Sequence, residues 1–417
     1  MSRRTLVWGA AGAVGALAIA AAVVVGLRLR SAEDVRGSST QEFVTTAAPQ
    51  PKPPPAPGVA WPTWGYANVR DRAAPYAHRP PYRRLWTFRA RRLLEFPPAV
   101  AYGRLYLTNN SGETFALDAE TGRVVWRHAG RRCTAASPAV AGGVVYQAFL
   151  NRPPCNSDRS PAELDGEVVA FDARTGRVRW RARLGPTESS PLVAGGLVVV
   201  GDWRGDVTAL DRRTGRVRWR SRTGGRVKGA VAQSGRRLFV GAYDGRLYSF
   251  ALGTGRQLWA SGSQAGLTGR GTFYATPAVA YGRVYIGSTD GKVYSFGATS
   301  GDLIWSHGTG GYVYSSPAVS RGLVYAGSYS GRLFAFDAAT GDVAWEAETG
   351  GEVSGAPTVL AGLVYVATLA GRTLAFDART GRPSWRFPDG KYTPLAADRE
   401  RVYLVGHTRV YGLAPRR

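Results

Sequence analysis

Few residues of this 417-residue chain are equipped for chemistry. Histidine occurs four times (His78, His128, His307, His407) without metal-ligand spacing. Cysteine occurs twice, Cys133 and Cys155. No Ser-His-Asp order and no phosphate-cradling loop stands out among the glycines. Glu188 and Asp202 could approach a concave mouth, but isolated acids beside Gly turns are poor evidence for a general base. No catalytic or metal-ligating residue is assigned. What remains is recognition chemistry. Trp203, Tyr243, Tyr274, Tyr312, Tyr314, Tyr329 and Tyr392 fall in loops of corresponding position, interleaved with Arg226, Lys228, Arg270 and Lys391. Aromatic faces beside cations at a concave mouth suit an anionic or sugar-like ligand.

A second cationic feature has sharper geometry. Arg177, Arg179, Arg181 and Arg183 alternate around Trp180, and Arg216, Arg218, Arg220 and Arg222 alternate around Trp219. At a strand's period of two, each set lies on the side away from its Trp, which predicts a basic patch on the wall of the fold. An acidic protein, an anionic lipid or a phosphate-rich wall polymer would suit it. Edge protection accounts for the same residues, because charge on an outer strand blocks edge-to-edge pairing. The net charge of +25 invites a nucleic-acid reading. Only four lysines contribute (Lys52, Lys228, Lys292, Lys391), so the excess is arginine spread over solvated surface, and nucleic acid is disfavoured.

The elements that must position these residues are written in a repeat. Trp86, Trp126, Trp180, Trp219, Trp259, Trp305, Trp345 and Trp385 recur about every 40 residues. Each closes the same phrase: Pro-Ala-Val, a Gly turn, a Val-Tyr strand, a second Gly turn, then Asp-Ala-x-Thr-Gly and the Trp strand. Four short strands per unit predict an all-β, eight-bladed propeller over residues 61–417. The final copy lacks its Trp strand and Trp86 lacks its blade, so joining the two closes the ring. Asp337 is expected to bond the turn amides, and the eight Trp to act as wedges between blades. Insertions at Asn151–Gly166 and Ser261–Thr276 are loops. Cys133 and Cys155 map to one face of the second blade, where a disulfide would staple the first insertion; two free buried thiols are the alternative.

The phrase Ala170-Phe171-Asp172-Ala173-Arg174-Thr175-Gly176-Arg177-Val178-Arg179-Trp180 resembles the PQQ-like, quinoprotein-type propeller repeat. The copies at Ala251 and Gly297 depart from it by lacking the Asp. The resemblance implies two functional classes. One is the quinone-dependent dehydrogenase of alcohols or sugars, with PQQ and Ca²⁺ in the funnel. The other is the non-catalytic, BamB-like envelope scaffold. Dehydrogenases of this type often carry adjacent cysteines beneath the quinone, whereas Cys133 and Cys155 are far apart in sequence. Their calcium and base residues find no matching positions here. The resemblance therefore favours a binding scaffold without a cofactor, with the dehydrogenase as its alternative and a wall-polymer sensor or adhesion module as a third reading.

Leu6–Leu27 is an uncharged apolar run long enough to cross a bilayer. It predicts a signal anchor over residues 1–30, although Ser2-Arg3-Arg4 also resembles a twin-arginine export signal. Residues 31–60, with the Pro-rich stretch Pro49–Pro57, read as an extended linker. These features predict a single-pass membrane protein with a monomeric propeller on the extracytoplasmic side and an envelope protein or anionic polymer as partner. Full-length protein should then remain in the membrane fraction after high-salt washing, and an N-terminus processed near residue 22 would contradict the anchor.

Overall fold

The computed structural model describes residues 32–45, 57–155, 165–266 and 269–416. In the sixth repeat the alternating apolar residues form four antiparallel strands: Ala318–Ser320, Leu323–Gly327, Arg332–Asp337 and Val343–Glu348. Ala335 pairs with Tyr325 on one side and Trp345 on the other. A bulge after Ala335 admits the Asp-Ala-x-Thr-Gly turn. Asp337 Oδ1 accepts from the amides of Ala339 and Thr340, each at 2.9 Å, as expected. Gly341 then adopts φ of 80°, the left-handed conformation that favours glycine.

The same turn holds the blades together. Seven Trp rings, Trp86 through Trp345, lie against the turn glycine of the next blade, from Gly122 to Gly381. A β-carbon on any of those glycines would come within 2.5 to 2.7 Å of the indole. Each indole N–H donates to a carbonyl of that same turn, as from Trp126 to Ala173 (3.0 Å) and from Trp345 to Ala378 (3.2 Å). Eight blades result. In the eighth, Tyr82–Arg89 pairs with Arg409–Pro415 and closes the ring. That blade lacks the turn, so Trp385 meets Tyr82 edge-to-face at 5.2 Å instead.

The chain before the first Trp is no simple lead-in, because it threads the central channel. Val59–Trp61 extends the first blade and Ala73–Ala74 pairs in parallel with the seventh. Between them the inner strands donate amides to its carbonyls: Val140 to Pro62, Gln233 to Asn68, Val279 to Val69, Val319 to Asp71 and Val359 to Arg72. Thr63 and Asn68 reach the third blade at Pro191 and Val193, and His78 reaches Asp398 of the eighth. Innermost strands would otherwise present unpaired backbone groups to a narrow channel. Arg70 and Arg72 are fully buried in this segment. Arg70 donates to the carbonyls of Val231 and Pro191 and to Thr63 Oγ1.

The expected linker of residues 31–60 is corrected in its described part. Residues 32–45 are docked as a strap on the outer wall of the fifth and sixth blades. Val35 bridges the edge strand at Ser306, Gly37 donates to Thr340, and Arg36 pairs with Asp342 at 2.8 Å. Lys292 is buried beneath the strap and pairs with Asp34 at 2.8 Å. The missing turn acid of the fifth blade explains the fit. Gly297 stands where the motif has Asp, and Glu42 of the strap fills its place. Its carboxylate accepts from Thr299 N (2.9 Å) and Ser300 N (3.0 Å), the same two positions that Asp serves in the other turns. The apolar run Leu6–Leu27 lies outside the described residues, and no helix among the described residues is long and apolar enough to cross a membrane.

Gly297→Asp should restore the turn acid from within and expel Glu42, since a β-carbon there lies 2.7 Å from Glu42 Oε1. Hydrogen-exchange protection over residues 35–44 should collapse in that variant, while Ala251→Asp in the fourth blade should leave it intact. A strap still protected in Gly297→Asp would refute the substitution of one acid for the other.

Candidate functional site

The loops entering each blade converge on one face. The residue four places before each inner strand points to a common ring of positions: Glu95, Ala135, Glu188, Lys228, Tyr274, Tyr314, Ser354 and Lys391. The turns between second and third strands add Trp203, Tyr243 and Tyr329. These loops enclose a cavity of about 360 Å³. Tyr243, Tyr274, Tyr314, Tyr329 and Tyr392 line it together with Glu95 and Phe96. Trp64 of the threaded segment lines it as well, with Phe96 edge-to-face at 5.0 Å. Thr276 Oγ1 accepts from Trp64 Nε1 at 3.3 Å, and the Arg72 guanidinium lies 5.0 Å from the indole centroid.

Five of the predicted aromatic residues therefore do meet in one cavity. Beside it, Lys228 Nζ sits 4.6 Å from the Trp203 ring and about equally far from Tyr243 and Tyr274, at 5.5 and 5.6 Å. Its charge is matched by Glu188 Oε2 at 3.5 Å. Arg226 stacks on Trp203 at 5.8 Å. Tyr312 stands exposed at the rim against Tyr314, and Lys391 lies 5.8 Å from the Tyr392 ring. Arg270 is not part of the group. It sits on a short hairpin formed by Ala265–Gly266 and Gly269–Arg270 and donates to the Ser263 carbonyl.

Trp64, Glu95 and Phe96 escaped the sequence reading. Trp64 precedes the repeat, and only the threading brings it here. Glu95 had a legible signal, since it occupies the same place before its inner strand as Lys228 and Tyr274. Burial, helped by the charge of Glu188, pushes the Glu95 carboxyl up to about 7 against the opposing pull of Lys391 and Lys228. Burial likewise raises Glu188, with Lys228 working against it. Burial drives the Tyr243 and Tyr274 hydroxyls upward, so both stay neutral.

Cys133 and Cys155 form a disulfide with Cα atoms 5.6 Å apart. Cys133 packs against Leu150 and Trp203, so the bridge buttresses the platform beneath Lys228. The eight wall arginines are all exposed. Arg179 pairs with Asp172, Arg181 with Glu167, Arg218 with Asp211, and both Arg220 and Arg222 with Asp206. Arg181 also reaches His128 of the preceding blade at 3.4 Å, whereas Trp180 faces the following one. The two rows thus front successive grooves between blades, with Arg177, Arg183 and Arg216 placed at their ends.

Residues 164–312 and 295–416 match the family model described as outer membrane protein assembly factor BamB. Together they span more than half of the chain. The protein belongs to the BamB-type PQQ-like propeller family. Residues 83–181 match the propeller domain of glucose, ethanol and alcohol dehydrogenases. Among solved structures, BamB from Moraxella catarrhalis superposes with a TM-score of 0.63 at 20% identity, covering 80% of this chain and 97% of that one. Quinohemoprotein alcohol dehydrogenase ADHIIG from Pseudomonas putida HK5 superposes with 0.73 at 17% identity, covering 86% and 80%. At such identities the likeness is one of fold. A curated relative, polyvinylalcohol dehydrogenase of a Sphingopyxis species, is 31% identical over 144 residues, 32% of this chain. The matched stretch spans only 21% of that relative.

The resemblance to quinoprotein dehydrogenases implies PQQ and Ca²⁺ for those enzymes. No three His, Cys, Asp or Glu side chains gather into a metal site among the described residues. The cysteines bridge loops of the second blade and are not an adjacent pair. The channel itself is occupied by residues 59–74 of this BamB-type chain. Cys155→Ser should cost about 3 kcal/mol in the chain-entropy picture for a loop of 22 residues. Thermal denaturation with and without reductant checks this, and the reduced wild type should match the variant.

Proposed function

We propose that this protein is a non-catalytic binding propeller of the cell envelope, held at the membrane by Leu6–Leu27 with its ring on the extracytoplasmic side. The observation that carries the reading is the threaded channel. A propeller whose axis is filled by its own chain keeps an aromatic-walled recess on one face in place of an open funnel. The recess has the size and the apolar walls with a few polar groups that small-ligand and side-chain pockets share. The disulfide supports an oxidising compartment. The family relationship supports a protein partner, and the wall arginines support an acidic one, although carboxylates within the ring already match five of the eight.

Two experiments test this. Full-length protein incubated with PQQ and Ca²⁺ should turn over neither alcohols nor sugars with an electron-accepting dye; sustained dye reduction would establish the dehydrogenase instead. In-cell crosslinking should recover an envelope partner with the wild type and lose it when Tyr243, Tyr314 and Tyr329 are replaced by Ala. Undiminished recovery from that variant would remove the cavity from the binding surface.

A further inference from the structure

We infer that the mouth cavity recognises an organic cation, an ammonium or guanidinium group, with Glu95 as its counter-charge and the tyrosine rings as its walls. The inference rests on the reading of this cavity as the binding site and names the chemistry that it selects.

The first ground is charge. Apart from the tyrosines, Glu95 is the one ionisable residue lining the cavity. Among the described residues its carboxylate has neither a hydrogen bond nor an ion pair. The nearest cations, Lys391 and Lys228, act on it through space and form no ion pair with it. Lys228 is matched by Glu188 and held among three aromatic rings, while Lys391 stays at the rim beside Tyr392. A half-buried carboxylate with no direct counter-charge is disfavoured, and a bound cation relieves that cost. The second ground is the wall. Aromatic faces attract cations through their quadrupole, and several rings around one site add their effects. Lys228 displays this locally, since its ammonium lies within 6 Å of three ring centroids. In the cavity beside it Trp64 faces Arg72 and Tyr392 faces Lys391, while Tyr314 and Tyr329 line the wall with no cation over their rings among the described residues.

The third ground is the unused hydroxyls. Wall tyrosines of the ring are bonded to protein: Tyr106 to Ala173, Tyr285 to Ala338 and Tyr325 to Ala378. None of the five cavity tyrosines has a hydroxyl hydrogen bond among the described residues. Their oxygens are therefore available to accept N–H donors, which ammonium and guanidinium groups supply in number. A cationic ligand differs from the anionic or sugar-like one that the interleaved aromatics, Lys and Arg suggest in the sequence. Lys228 and Arg226 flank the cavity beside Glu188 and Trp203, Lys391 stays over Tyr392 at the rim, and the carboxyl lines the wall.

The pH dependence has a definite sign. Glu188, Lys228 and Lys391 are the charges facing Glu95 from neighbouring loops, with Arg72 on the threaded segment beside Trp64. Only the ionised carboxyl attracts the cation. With Glu95 titrating at about 7, affinity should rise through neutrality and level off above it, and lowering pH from 8 to 5.5 should weaken binding about 30-fold.

Calorimetry on the full-length protein tests this with choline, its uncharged isostere 3,3-dimethylbutanol, N-acetyl-arginine methylamide, maltose and inorganic phosphate. Choline or the arginine amide should bind, the isostere at least tenfold more weakly. Glu95→Gln should abolish the preference for charge, and Lys391→Met should tighten cation binding several-fold by removing a competing charge. Stronger binding of choline would indicate a small amine as the natural ligand, and stronger binding of the arginine amide a basic side chain of a partner. Equal binding of choline and its isostere overturns the inference, as does failure of both cations to bind at 10 mM. Maltose or phosphate bound in their place would overturn the cation and leave the cavity reading standing. If no probe binds and the triple-tyrosine variant still recovers its partner, the cavity reading falls as well.

Discussion

The ring depends on one repeated contact, the tryptophan of each blade laid on the Thr-Gly turn of the next. The indole needs a flat, side-chain-free surface, and the turn needs a residue at positive φ. Glycine satisfies both at once, so packing and backbone geometry select the same residue. The indole N–H then ties the contact to a turn carbonyl, which fixes the angle between neighbouring sheets. Because each blade is both wedge and seat, stability is shared around the ring and the single irregular joint at Trp385 falls at the closure. There Tyr82, Tyr365 and Trp385 replace the turn with a cluster of aromatic rings.

Two segments before the first wedge complete this frame. Residues 59–74 satisfy the inner strands from within the channel, and the strap satisfies the fifth blade from outside. Each repairs a gap that the repeat leaves: unpaired amides at the axis and an absent acid at Gly297. The strap therefore behaves as a detached piece of the motif, supplied from far away in sequence. Threading the axis also shapes the mouth, because it places Trp64 in the wall of the cavity.

The mouth shows how a repeat generates a site. Structural positions of the repeat stay alike from blade to blade, but the place four residues before the inner strand varies: acid, alanine, acid, lysine, two tyrosines, serine, lysine. Rotational symmetry gathers these differences around one opening. Glu188 and Lys228 are neighbours on that ring and cancel. Glu95 forms no direct pair, and burial together with the charge of Glu188 raises its pKa.

Much of this was legible without coordinates. The Trp spacing and the Asp-Ala-x-Thr-Gly phrase determined the eight blades, the closure and the turn chemistry, because each is a local pattern repeated in register. The five cavity tyrosines were legible for the same reason. Tertiary structure alone decided what lies outside the repeat: the path of Trp64 and the buried arginines through the axis, the docking of Glu42 on Gly297, and the pairing of the cationic residues. None of these has a local signature, since each joins residues that share no period and meet only when the ring closes. The sign of the cavity's charge belongs to this second class. Sequence counted the lysines and arginines near the mouth, and only the fold placed a carboxyl in the cavity wall with those cations around it.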